Sequence, residues 1–113
     1  MVNQLDSTLA ALADPTRRLV VELLRQRPRA AGYLASTTGV TAPAMSRHLR
    51  VLRRSGLVED RGVDHDARIR MYRLRPEQFE GLDAWLGEVR AFWNEELAAF
   101  KTYADRSKET TTR

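Results

Sequence analysis

Residues 41–54, with the sequence TAPAMSRHLRVLRR, hold the side chains that are most suited to chemistry. Ser46 and His48 are of the types that form a nucleophile and its base, but two positions apart on a helix their side chains diverge. The hydroxyl of Ser46 and the guanidiniums of Arg47 and Arg50 are suited instead to binding phosphate oxygens and base edges. The segment therefore indicates contact with a polyanion rather than catalysis.

Charge is concentrated in the same part of the chain. Residues 41–75 contain nine arginines and four acids, whereas residues 76–105 contain two basic residues and seven acids. The whole chain has a formal charge of only +4. A contiguous basic third of a small protein is typical of a nucleic-acid partner, with a solvated basic face that aids solubility as the simpler alternative.

Composition excludes several classes of protein. The 113 residues are 42% hydrophobic and 30% charged, ordinary values for one soluble domain. The absence of cysteine excludes disulfides, thiolate metal sites and cysteine nucleophiles. There is neither a glycine-rich phosphate loop nor a clustered carboxylate pair, so we do not expect an enzyme. No apolar run approaches the roughly 20 residues of a membrane span and no signal peptide is present, so we expect a cytoplasmic protein without a membrane partner.

Hydrophobic periodicity and breaker residues predict the elements that position these side chains. Asp14 is suited to cap a helix that begins at Pro15, and four residues of that helix are expected to face inward: Leu19, Val20, Leu23 and Leu24. The predicted helices span residues 4–13, 15–26, 30–37, 42–55 and 76–105, and the predicted strands span 57–62 and 68–74. We expect one domain over residues 1–105 and a polar, disordered tail over 106–113.

The third and fourth predicted helices form a helix-turn-helix, because a short turn that contains Gly39 joins them. Met45, Leu49 and Leu52 are spaced to share one buried stripe of the second helix, which leaves its small and basic residues exposed. A basic hairpin over 57–74 follows at once and would form a wing. The predicted fold is a winged helix-turn-helix, mainly α with a small β-hairpin, with the strand pair between the fourth and fifth helices.

Duplex DNA is the partner that this arrangement predicts, because the second helix of such a motif enters the major groove. Arg68 and Arg70 of the hairpin could reach phosphates or the adjacent minor groove. The predicted DNA-binding residues are Thr41, Ala42, Pro43, Ser46, Arg47, His48, Arg50, Arg53, Arg54, Arg68 and Arg70.

The long last helix carries more apolar surface than a small core can cover, since its apolar residues advance by three or four positions in a continuous stripe. A second copy of the chain is the simplest partner for this stripe, and we expect a homodimer that binds an inverted-repeat site. The predicted dimer interface comprises Leu5, Leu9, Leu12, Leu82, Trp85, Leu86, Val89, Phe92, Trp93, Leu97 and Phe100.

Two segments, LADPTRRLVVELL and TAPAMSRHLRVLRRSGLV, together with a strand that ends in MYRL, resemble the ArsR/SmtB family of winged-helix transcriptional repressors. The resemblance covers roughly residues 5–100. It implies that Ser46, Arg47 and His48 open the recognition helix and that Ser55-Gly56-Leu57-Val58 leads into the wing. It also implies a homodimer, built from the first and last helices, that binds palindromic operators and represses transcription.

The metal sites of many members of that family have no counterpart here. Their thiolate ligands would fall on residues 33–37, which contain no cysteine, and the Asp-x-His pair of other members would fall on Asp83, which Ala84 and Trp85 follow. We therefore predict neither a metal nor a cofactor, with an atypical metal site at His65, at the wing tip, as the less favoured interpretation.

Two more interpretations of the sequence stay open. Trp85, Phe92 and Trp93 could line a small-molecule pocket, although helical aromatics at this spacing more often belong to a core, and the effector is unknown. The chain could also be a protein-interaction module on a winged-helix scaffold, because a fold does not fix a function.

Overall fold

The computed structural model describes residues 3–63 and 66–111 of the chain. The elements in this part are α1 (Gln4–Leu12), α2 (Pro15–Gln26), β1 (Arg29–Ala30), α3 (Ala31–Thr38), α4 (Ala42–Arg54), β2 (Val58–Val63), β3 (Asp66–Leu74), a 3-10 turn (Pro76–Phe79) and α5 (Glu80–Thr111). The mainly helical winged helix-turn-helix expected from the sequence is confirmed, with α3 and α4 as its two helices.

A tight corner joins α1 and α2, and local side chains form it. The carboxylate of Asp14 accepts a hydrogen bond from the backbone N–H of Arg17 at 3.0 Å, which caps α2 as predicted. Arg17 then donates through Nε to the carbonyl oxygen of Ala11 at 2.6 Å, and Arg18 donates to that of Leu12 at 2.7 Å. The two arginines thereby satisfy carbonyls at the end of α1 that have no partner within the helix.

The turn between α3 and α4 has the geometry that the sequence predicts. Gly39 ends α3 with φ at +76°, a left-handed conformation that suits glycine. Thr41 then caps α4, since its Oγ1 accepts a hydrogen bond from the N–H of Ala44 at 3.2 Å. Gly56, with φ at +81°, follows the C-terminal end of α4 and turns the chain toward β2.

The wing is larger than the hairpin expected from the sequence. Strands β2 and β3 pair antiparallel, with Val58 opposite Leu74 and Gly62 opposite Arg70. The two-residue strand β1 pairs with the other edge of β3, so the sheet has the order β1-β3-β2. Strand β1 was missed because two residues are too short to show an alternating pattern.

One hydrophobic core lies among α1 to α4 and the start of β2. Its fully buried residues are Ala11, Val20, Leu24, Leu34, Ala35, Met45, Leu49, Leu52, Leu57 and Val58. Leu23 is partly buried against this core. The prediction for Leu19 is wrong, because its side chain is 53% exposed.

The last helix differs from its prediction at both ends. Residues Pro76–Phe79 form a 3-10 turn before α5 begins at Glu80. Helix α5 continues to Thr111, so residues 106–111 are helical where a disordered tail was expected, while residues 112–113 lie outside the described part. The chain divides into two compact units, one ending at Leu82 and the other beginning at Asp83.

Candidate nucleic-acid interface

Helix α4 separates into a buried face and an exposed face. Met45, Leu49 and Leu52 are at most 2% exposed, in agreement with the predicted stripe. The exposed face carries Thr41, Ala42, Pro43, Ser46, Arg47 and Arg50. Small residues at the N-terminal end let a backbone approach closely, and the residues that follow offer hydroxyl and guanidinium donors.

The arginines of this exposed face are not neutralised by the rest of the protein. Within residues 3–63 and 66–111, Arg47, Arg50 and Arg54 are exposed and form no ion pair with an acidic side chain. Three solvated guanidiniums on one short helix attract an anionic partner and present donors that match phosphate and guanine.

Arg53 and Arg70 have a different environment, because Asp60 lies between them. Oδ1 of Asp60 accepts a hydrogen bond from Nη1 of Arg53 at 3.1 Å, and Oδ2 accepts one from Nε of Arg70 at 2.9 Å. The Asp60 side chain is only 9% exposed, whereas the arginine side chains remain 57% and 51% exposed. Asp60 therefore ties the end of α4 to strand β3.

The charge state of Asp60 reflects this pairing. Burial of the carboxyl group acts to raise its pKa, but the hydrogen bonds and positive charges of Arg70 and Arg53 outweigh burial and hold the pKa below its usual range. The carboxylate is consequently ionised near neutral pH and accepts from both arginines at once.

Glu59 organises a second set of arginines. It pairs with Arg73 across the strands, and its oxygens lie 3.5 Å from Nη2 of Arg61 and 3.9 Å from Nε of Arg75. Adjacent residues of a strand point to opposite faces, so Glu59 and Asp60 bind arginines on the two sides of the wing.

A small concavity lies beside the Asp60 pair, where α4 approaches β3. Its volume is about 150 Å³, and Ser46, Leu49, Arg50, Arg53 and Tyr72 line it. Ser46, Arg50 and Arg53 follow one another at helical spacing along one side of α4. Hydroxyl and guanidinium donors therefore converge on this concavity from a single helix face.

His48 has a different environment from the other predicted DNA-binding residues. Its Nδ1 lies 3.3 Å from Nη1 of Arg17 and 3.9 Å from Oδ1 of Asp14, and the ring is mostly buried. The backbone hydrogen bond from Arg17 lowers the pKa of Asp14, against a smaller opposing effect of burial, and the nearby His48 and Arg17 side chains lower it further. His48 thus joins α4 to the start of α2.

The outer part of the wing carries Arg68 and Ile69, and both are exposed. Tyr72 and Leu74 are the residues of β3 that pack against the core. The alternation of basic and apolar residues in this strand therefore does not mark its buried face. His65 and Asp64, which with Asp66 make up the atypical metal site considered from the sequence, lie outside the residues whose side chains are described.

The second unit offers a surface of another kind. Helix α5 exposes an apolar row whose exposed fractions rise from 39% at Trp85 to 71% at Tyr103. The exposed members of the row are Trp85, Leu86, Phe92, Trp93, Leu97, Phe100 and Tyr103, while Leu82 and Val89 are partly buried. In the first unit Leu9 is exposed, and Leu5 and Leu12 are partly buried.

Sequence reasoning missed the acidic residues of the wing. The composition of the segment shows Asp60 and Glu59 only as charges and does not show which arginines they pair with. The available signal was the position of two adjacent acids in a strand that pairs with an arginine-rich strand, since cross-strand opposite charges attract.

A winged helix-turn-helix whose recognition helix exposes arginines without an acidic partner among the described residues is typical of DNA-binding proteins. Residues 14–60 match the family described as bacterial regulatory protein, arsR family. The chain is also 38% identical over 106 residues to the HTH-type transcriptional regulator Rv2034 of Mycobacterium tuberculosis, and the match covers 94% of each chain. The chain therefore belongs to the ArsR family of bacterial transcriptional regulators.

Two further relatives are informative about assembly and activity. The transcriptional repressor SdpR of Bacillus subtilis is 30% identical over 56 residues, which cover 50% of this chain and 62% of SdpR. A solution structure of the homodimeric winged helix-turn-helix DNA-binding domain Mb0332 from Mycobacterium bovis has a TM-score of 0.59 and 29% identity, covering 83% of this chain and 82% of that one. The predicted family and fold are thus confirmed.

Two structural facts bear on metal binding and on membrane insertion. Among the residues that the structure describes, no group of three or more His, Cys, Asp and Glu side chains is placed to hold a metal ion. None of the described helices is both long and apolar enough to cross a membrane.

Proposed function

We propose that this regulator represses transcription as a homodimer that binds an inverted-repeat operator through α4 and the wing. In this proposal Ala42, Pro43, Ser46, Arg47 and Arg50 face base edges in the major groove. Thr41, Arg53, Arg54, Arg68 and Arg70 bind the phosphate backbone. His48 supports the interface from within, because it holds α4 against Asp14 and Arg17.

The observation that carries the proposal is the state of the α4 arginines. Arg47 and Arg50 are exposed and unpaired within the described part of the chain, one turn beyond residues small enough to let the helix enter a groove. A merely solvated basic face would not explain why small residues open the exposed face and why a basic hairpin follows the helix. The arrangement suits insertion of α4 as a rigid rod.

The homodimer is supported by the apolar row of α5. Seven large apolar side chains of this helix are between 39% and 71% exposed, which is unusual for a protein that functions as a monomer. A two-fold partner would cover this row with the same row of a second copy and would present two recognition helices. The homodimeric state of the Mycobacterium bovis domain supports the same assembly.

Selection of duplexes from a random pool by the purified protein tests the proposal. We expect the selected sequences to contain an inverted repeat with half-sites about one helical turn apart, and footprinting to show protection of both half-sites. A salt titration on the selected duplex should give a log–log slope near −0.9 for each phosphate that the dimer neutralises.

Three outcomes would each contradict one part of the proposal. Enrichment of no sequence and an absence of duplex binding at low salt would favour the protein-interaction module. A selected site without two-fold symmetry would contradict recognition of DNA by a symmetric homodimer, but it would still show that the protein binds DNA. Repression itself is tested by a reporter under a promoter that contains the selected site, where an increase in transcription on adding the regulator would contradict it.

A further inference from the structure

Asp60 is an acid on the surface proposed to face DNA, and its position requires an explanation. A carboxylate close to phosphates weakens DNA binding by repulsion, and burying a charge opposes folding unless partners compensate it. Asp60 is 9% exposed and accepts one hydrogen bond from α4 and one from the wing. Its two oxygens join two elements that are separate in the sequence.

The geometry leaves both arginines able to bind a further anion. Each hydrogen bond to Asp60 engages one of the five N–H donors of a guanidinium. Arg53 and Arg70 keep about half of their side-chain surface exposed, and Arg53 also lines the concavity between α4 and β3. A guanidinium held at one nitrogen also loses less conformational entropy when it binds a phosphate.

We propose that Asp60 is a positioning residue for DNA binding, because it holds Arg53 and Arg70 as a pair that clamps the DNA phosphate backbone. The phosphate that lies nearest α4 enters the concavity beside this pair, on the side that Arg53 lines. This inference rests on the proposed function. Asp60 itself touches no DNA and acts only through the two arginines.

The substitution Asp60→Asn separates positioning from simple repulsion, because the two predict opposite signs. If Asp60 only repelled DNA, removing its charge would tighten binding. Positioning predicts weaker binding, since the asparagine amide retains one acceptor, and its N–H₂ group opposes the second arginine. We expect roughly tenfold weaker binding of the selected duplex and a salt slope smaller in magnitude by between one and two.

Glu59→Gln is the matched control, because it removes the same charge one residue away on the opposite side of the wing. We expect it to bind the selected duplex at least as tightly as the wild-type protein. Both variants are measured where circular dichroism shows them folded. Equal or tighter binding by Asp60→Asn with an unchanged slope would overturn the inference. An absence of duplex binding by the wild-type protein would contradict the proposed function instead.

A second measurement begins from the two arginines, and its first step does not require Asp60→Asn. If Asp60 couples the two arginines, losing either one loosens the other, and the variant Arg53→Ala/Arg70→Ala should lose less affinity than the product of the single losses. In that double background Asp60→Asn should tighten binding, because only repulsion remains. The inference would be overturned if the affinity loss of the double variant equalled the product of the two single losses. It would also be overturned if Asp60→Asn weakened DNA binding in the double variant.

Discussion

Helices α4 and α5 are both amphipathic, and they differ in what their exposed faces carry. Helix α4 buries Met45, Leu49 and Leu52 and exposes small and basic residues. Helix α5 exposes its aromatic and leucine residues over several turns. Because charge and apolar surface prefer different partners, the first face suits a polyanion and the second suits another apolar face.

The same periodicity of apolar residues serves two purposes in these helices. In α4 the apolar stripe is buried in the core, so substitution of its residues affects folding. In α5 the apolar row is exposed, so its substitution should affect association rather than the folding of the first unit. Substitutions in the two helices test this division, and the largest effect is expected in the core.

Leu52→Ala should destabilise the first unit by about 2–5 kcal/mol, because it removes a fully buried side chain and leaves a cavity. Denaturant unfolding at several protein concentrations measures the effect. The matched control is Leu97→Ala on the exposed row of α5. Its effect should depend on protein concentration, since it acts on dimer formation. A loss of similar size at every concentration for both variants would break the distinction between the helices.

Trp93→Ala should weaken dimerisation by about 2 kcal/mol or more, since Trp93 is exposed in the single chain and tryptophan is enriched among the few interface residues that carry most of the binding energy. Sedimentation velocity over a dilution series gives the dissociation constant. Glu95→Ala is the control, because Glu95 lies on the other side of the same helix from Trp93. An unchanged dimer in Trp93→Ala would show that the apolar row has another partner.

Arg50→Ala should weaken binding of the selected duplex by roughly 1–3 kcal/mol and relax its sequence preference at one position. Arg68→Ala should instead weaken binding to all duplexes about equally. The control is Arg25→Ala, an exposed arginine of α2 outside the proposed interface. Equal losses for Arg50→Ala and Arg25→Ala would show that α4 is not the element that reads DNA.

Acidification should have the smallest effect and should act on the first unit. The lowered pKa of Asp60 means that its ion pairs add stability above the usual aspartate pKa of 3.8, and that this stability is lost as the pH falls through the lower folded-state pKa. Urea unfolding should therefore show that the free energy of unfolding declines less for Asp60→Asn than for the wild-type protein as the pH falls from about 6 to below about 4. Parallel declines would contradict the assignment.

Much of the fold could be predicted because its signals are local. The Asp14 cap, the left-handed Gly39 and the Thr41 cap each depend on residues within four positions. The buried stripe of α4 was also predictable from spacing alone. Strand β1 and the exposure of Leu19 were not, because both depend on which elements pack beside them.

The candidate site was predictable as a set of arginines but not as an arrangement. Composition located the basic third, and helical spacing placed Arg47 and Arg50 on the exposed face of α4. The pairing of Asp60 with Arg53 and Arg70 spans 7 and 10 residues, and the contact of His48 with Arg17 spans 31. No local rule connects such residues.

The sequence by itself determined the kind of surface that each helix exposes, because the periodicity of apolar residues and the type of the intervening residues are properties of the chain. Only the tertiary structure decided which charges are neutralised within the protein. Ion pairs form where strands and helices bring distant residues within about 4 Å. Folding therefore decides that Arg53 and Arg70 are paired, while Arg47, Arg50 and Arg54 have no acidic partner in the described part of the chain.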